Sequence, residues 1–234
     1  MRGRALILTA VLAALAGSAG WASASRTTLA SRMHCASSVR GDFDGDGRSD
    51  VGLVGSARRD CRAGWTVTVR LASGSAPAHV LDKDAFPQVE DGRLCVVGCT
   101  AFAARDLTGD GRDELEVADD TPATGSIVVG YRLLRGSLRP LKARARSGAY
   151  HVMGFLHTGS VTYGSWVVCR DRPKAARRVI QISEGYATPR DHHVHISEDA
   201  YVVRGLVFRH LSTRTYRVRS NRVGEPVPVA GRPC

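Results

Sequence analysis

Apolar residues fall into two regimes along the chain. Between Ala5 and Ala16 they form one nearly unbroken run. Beyond Ala24 they alternate with polar residues, or come in short bursts rich in Val, Ile, Leu and Tyr bounded by Gly, Pro, Asp and Ser. Alternation with a period of two puts one row of side chains on each face of an extended strand, and the bounding residues are turn formers. The pattern predicts many short strands, among them TVTVRLASG (Thr66 to Gly74) and IVVGYRLLRG (Ile127 to Gly136). No amphipathic helix is predicted after the first run; LKARARSGAY, from Leu141, is short and broken by glycine.

Sliding the chain along itself exposes a repeat. DFDGDGRSDVGLV from Asp42 returns as DLTGDGRDELEVA from Asp106, 64 residues on. Cys35 lies seven residues before Asp42, and Cys99 seven before Asp106. The two extended segments named above follow the two loops. A third copy is eroded. FRHLSTRTYRVRSNRV (Phe208 to Val223) echoes the second segment, with Tyr216-Arg217-Val218 matching Tyr131-Arg132-Leu133. GSWVVCRDRPKAARRVIQIS (Gly164 to Ser183) takes the place of the acidic loop, with Asp171 its one acidic residue. Several short strands per unit at regular spacing are what a propeller blade looks like in sequence. The expected fold is all-β, built of propeller-like repeats of short antiparallel strands. Closed propellers carry about 4 to 8 blades; about three are expected here, an incomplete or atypical propeller.

The repeated loop has the chemistry of a hard-cation site. With Asp42 as position 1, side-chain oxygens fall at alternate positions on Asp42, Asp44, Asp46 and Asp50, and Arg48 would offer its backbone carbonyl. Calcium takes about 6 to 8 oxygens at roughly 2.3 to 2.6 Å, and alternate residues of a tight loop can point inward together. Gly45 and Gly47 let the backbone wrap through positive φ. The second loop offers Asp106, Thr108, Asp110, Arg112 and Glu114 in the same register. With three carboxylates against four, it is expected to bind more weakly. An EF-hand would need a Glu at position 12 and flanking helices. Position 12 is Leu53 in one loop and Val117 in the other, each inside a strand-like run.

Loop, flanking strands and spacing together resemble the FG-GAP/VCBS repeat family, relatives of the calcium-binding blades of the integrin α-subunit propeller. DFDGDGRSD (Asp42 to Asp50) is the specific match; DLTGDGRDE (Asp106 to Glu114) departs at Thr108 and Glu114. The resemblance covers roughly Cys35 to Val223 and implies calcium in the loops and blade surfaces used for binding. The organisation expected is a signal peptide over 1–24, a first unit over 25–98 with loop 42–50, a second over 99–160 with loop 106–114, and a degenerate third over 161–234 with an insertion at 184–205.

Arg2 and Arg4, the apolar run and Ala22-Ser23-Ala24 have the order of a secretory signal peptide, with cleavage expected after Ala24. The run is shorter than the roughly 20 residues of a membrane span. The mature chain is thus expected to be secreted, without a transmembrane segment. An even cysteine count in an exported chain reads as disulfides. Spacing favours Cys35 with Cys61, Cys95 with Cys99, and Cys169 with Cys234, although six cysteines admit fifteen connectivities. Losing Arg2 and Arg4 takes the formal charge from +11 to +9. A basic exported chain is drawn to polyanions such as acidic wall polymers. Nucleic acid is the less favoured partner, because no arginine cluster is interleaved with aromatics. Assembly into an oligomer would be one way for about three blades to close.

DHHVHISED places His193 and His195 on one face of an expected strand with Asp191 and Glu198 nearby, a zinc arrangement in principle. No G-x-S-x-G, HExxH or phosphate-loop motif occurs. A non-catalytic binding or adhesion module is therefore expected, the alternatives being an exported hydrolase with its site around His192 to Asp199 and a basic binder of wall polyanions. Arg40-Gly41-Asp42 spells an adhesion tripeptide, but Asp42 is the first expected cation ligand, which turns its carboxylate inward.

Overall fold

The computed structural model describes residues 33–81, 95, 98–119, 126–144, 148–159, 163–172, 177–187, 193–219 and 232–233. The expected signal peptide lies outside them, as do Asp191, His192 and Cys234. All the regular structure in the described residues is β, apart from a single 3₁₀ position at Leu81. None of it is a helix long and apolar enough to cross a membrane.

Strands β1 (His34–Gly41), β2 (Asp50–Ser56), β3 (Trp65–Arg70) and β4 (Ala78–Val80) form an antiparallel meander that is a sheet of its own. The order recurs in β5 (Cys99–Arg105), β6 (Glu114–Asp119), β7 (Ser126–Leu134) and β8 (Ser137–Pro140). Then come β9 (Lys142–Arg144), β10 (Tyr150–Val152) and β11 (Gly154–Gly159). A third meander follows in β12 (Tyr163–Arg172), β13 (Arg177–Ala187), β14 (His193–Arg204) and β15 (Val207–Arg219), and β16 (Arg232–Pro233) adds to β12. The first two meanders turn on equivalent pairs, Gly41 opposite Asp50 and Arg105 opposite Glu114. In the third, Arg172 stands opposite Arg177, with four residues of sequence between them against eight in each of the other two.

The second and third meanders are joined by β11. Gly154 to His157 pair with the start of β7, and Thr158 and Gly159 pair with β12. The result is one open sheet of 12 strands whose path ends at β10 and β5. The fold is thus an open, incomplete propeller-like arrangement of antiparallel meanders. The described residues of the expected insertion at 184–205 lie mostly in the β13–β14 hairpin. Its pairing runs from Ile180 opposite Tyr201 to Ala187 opposite Val194.

The meanders stack face to face, which explains why β6 is buried at every position. Leu115 and Val117 on one face, with Val129, Tyr131 and Leu133 of β7, meet Phe43, Val54, Val67 and Val69 of the first meander. Ala118 and Val128 on the opposite face meet Ile180, Ile182 and Phe208 of the third. Period-two alternation in a middle layer fills two cores. Sheet separation is set by small residues: a Cβ on Gly52 of β2 would stand 2.8 Å from Leu115 Cδ1. Two disulfides lie wholly within the described residues, Cys35–Cys61 and Cys95–Cys99, with Cα separations of 6.2 and 5.0 Å. Cys169 is also disulfide-bonded; its expected partner lies outside the described residues.

Candidate cation site

Both acidic loops are hairpin connections at the same end of their meanders, and each is built around its first aspartate. Asp42 Oδ1 accepts the N–H groups of Gly45 (2.8 Å) and Asp46 (3.1 Å), and Oδ2 accepts that of Gly47 (2.9 Å). Asp106 does the same with Gly109 (2.6 Å), Asp110 (3.2 Å) and Gly111 (3.0 Å). Gly45, Gly47, Gly109 and Gly111 all have φ between 75° and 83°, the left-handed region that a side chain penalises. The second residue of each loop, Phe43 or Leu107, is a buried plug into the core. Its N–H donates to the last acidic residue, Asp50 Oδ2 at 3.0 Å or Glu114 Oε2 at 2.8 Å.

The first loop gathers Asp42, Asp44 and Asp50, whose carboxylate oxygens come within 4.8 Å of one another. Asp50 is fully buried, with its other oxygen accepting the Ala72 N–H at 2.7 Å. Asp46 is not in this group. It is turned onto Arg48, which takes it through Nε (2.8 Å) and Nη2. That guanidinium contact, with the Arg48 N–H, holds the Asp46 carboxyl below its ordinary range. Like charges at about 4 Å repel by roughly 1 to 4 kcal/mol, depending on the local dielectric. A divalent cation relieves that repulsion, and a carboxylate that accepts N–H bonds keeps lone pairs for it. The three carboxylates fit a hard cation.

The second loop meets its charge differently. Arg132 of β7, only 8% exposed, donates through Nη2 to Asp110 Oδ2 and through Nη1 to the Gly205 carbonyl at 2.9 Å. Its Nε stands 3.4 Å from Glu114 Oε1. Arg178 of β13 donates through Nη1 to the Asp106 carbonyl and lies 3.5 Å from Asp106 Oδ2. Thr108 donates to Asp110 Oδ1 at 3.0 Å. Arg112 packs across the layers, so that a Cβ on Gly45 would meet its Cγ at 2.8 Å. Burial pushes the Glu114 carboxyl up to about 8 against the opposing pull of Arg132. Burial also raises Glu116, which Arg105 faces at 3.4 Å.

The residues the sequence did not single out are Arg132, Arg178 and Asp113. Asp113 Oδ2 accepts the Asp42 N–H, joining the two loops. All three act across layers, where neither loop register nor spacing points to them.

No family model, curated protein or solved structure matches this chain.

His193 and His195 do lie on one face of β14, but their neighbours across the ladder are Arg219 and Arg217, which disfavour a cation between them. Glu198 is taken by the Tyr216 hydroxyl at 2.6 Å. Asp199 accepts from Thr213 Oγ1 at 2.5 Å and faces His210 Nε2 at 3.2 Å, on an exposed strand surface. At the tripeptide, the Asp42 carboxylate is turned into its loop by three N–H donors.

Proposed function

We propose that this chain is an exported, calcium-stabilised β-repeat module of the FG-GAP/VCBS type that acts by binding and not by catalysis. The observation that carries the reading is the convergence of Asp42, Asp44 and Asp50 within 4.8 Å on a glycine-wrapped loop between stacked sheets. Asp42, Asp44 and Asp50 would hold the ion, and the loop would add backbone carbonyl oxygens such as that of Arg48. Calcium bound there stabilises the folded state by mass action, because the unfolded chain has no preformed cage. Disulfides and the basic mature charge suit an extracellular setting. Calorimetric titration of the full chain with Ca2+ tests the site. Asp44→Asn is the variant to compare, since Asp44 accepts only the Asp46 N–H at 3.2 Å and is the least structural of the three. Equal binding by wild type and Asp44→Asn would remove the first loop from the account.

A second observation favours a polyanionic cell-surface polymer as the ligand. A groove of about 500 Å³ opens between β4, β8, β10 and the β14–β15 turn, lined by His79, Arg139, Lys142 and the exposed Tyr150, with no acidic residue among the described residues of its wall. Retention on an acidic polysaccharide that weakens with added salt and with Arg139→Gln supports this reading; salt-independent retention contradicts it.

A further inference from the structure

We propose that the second acidic loop is a cation site whose cation belongs to the chain itself, the Arg132 guanidinium, so that this loop takes up calcium only when that arginine is removed. A metal held by Asp110 and Glu114 at the roughly 2.3 to 2.6 Å that calcium requires needs the carboxylate faces that Arg132 covers. Glu114 Oε1 is buried and accepts no hydrogen bond, and it points at the Arg132 side chain. Arg178 covers the third carboxylate, Asp106, from the neighbouring layer.

The first loop has no counterpart to this arrangement. Val51 pairs with Arg70 as Leu115 pairs with Tyr131, so the residue equivalent to Arg132 is Leu71. The spare oxygen of Asp50 accepts a backbone N–H from Ala72, whereas that of Glu114 faces a guanidinium. Arg48, the arginine within the first loop, is 59% exposed at the rim. Of the four acidic side chains there, Asp46 pairs with the exposed Arg48 while Arg112 packs against Gly45; in the second loop Asp106, Asp110 and Glu114 all face Arg132 or Arg178, which are largely buried. Expelling Arg132 would leave the Gly205 carbonyl without its donor and take the guanidinium away from Asp110. The arginine also ties the second meander to the β14–β15 turn of the third, the mechanical role a bridging metal would have.

The inference rests on the calcium reading only for the first-loop count. The test is the number of Ca2+ ions bound per full chain, by equilibrium dialysis, for wild type, Arg132→Gln and Asp110→Asn. Wild type is expected to bind one equivalent, Arg132→Gln two, and Asp110→Asn the same as wild type. Two equivalents in wild type, no gain in folded Arg132→Gln, or loss of an equivalent in Asp110→Asn would each overturn the proposal. Zero in wild type with one in Arg132→Gln would sink the first-loop reading and leave this one standing. Should Arg132→Gln not fold, Asp110→Asn decides, with a melting temperature lowered equally in calcium and in chelator as the supporting result.

Discussion

Asp42 and Asp113 hold each other across two layers. The Asp42 N–H donates to Asp113 Oδ2 at 2.9 Å, and the Asp113 N–H donates to the Asp42 carbonyl at 2.8 Å. The first residue of one loop is thereby fixed by the eighth residue of the next. Arg178 repeats the relation one layer on, donating to the Asp106 carbonyl. Each acidic loop is braced by the meander that follows it.

Asp113→Ala removes the acceptor of the partly buried Asp42 N–H and is expected to cost about 1 to 3 kcal/mol, the penalty of an orphaned polar group. Urea unfolding checks it. A cost below about 0.5 kcal/mol, typical of surface substitutions, would mean that the two loops do not brace each other.

The glycines of the second loop separate backbone strain from crowding. Gly111 has φ 83° and open space around it, so Gly111→Ala is expected to cost only about 1 kcal/mol. A Cβ on Gly109 would stand 2.8 Å from Arg178 Cβ and 3.0 Å from its backbone nitrogen. Gly109→Ala should be distinctly the more damaging in a thermal melt; equal losses would refute the close approach of the second and third layers.

Leu115 is fully buried between the first two meanders, and Leu115→Ala is expected to cost about 2 to 5 kcal/mol. Leu211, 47% exposed on β15, is the control, with an expected change within about 0.5 kcal/mol. Chemical denaturation of both variants reads the difference directly.

Glu114 makes stability in chelator depend on pH. Its folded pKa of about 8 lies above the ordinary 4.5, because burial favours the neutral acid. The stability it contributes is complete below the unfolded value and is lost as pH rises through the folded one. Melting temperature in chelator should fall between about pH 5 and pH 8, and Glu114→Gln should flatten that fall. An unchanged slope in the variant would show that other groups set it.

Much of the architecture can be read from the chain, for identifiable reasons. Period-two alternation and turn residues mark the strands, and the 64-residue offset puts Asp42 and Asp106, and Asp50 and Glu114, in equivalent hairpins. The role of β11 is not legible, because Gly154 to Gly159 carries no signal of which strands it will join. Nor is the difference between the loops. Both read as calcium ligands in order, yet Asp46 turns to Arg48 and Asp110 to Arg132, an arginine 22 residues away among many in the chain. Arg178 reaches Asp106 from the third meander, and partners across layers depend on which sheets stack, which a single strand's pattern does not contain.

Thermal melting of the full chain in chelator and in rising Ca2+, for wild type and Asp44→Asn, tests the central claim most directly. The account predicts that wild type gains stability with calcium, about 2.7 kcal/mol at a concentration one hundredfold above the dissociation constant, and that Asp44→Asn loses most of that gain. Superimposable wild-type melts with and without calcium would contradict it.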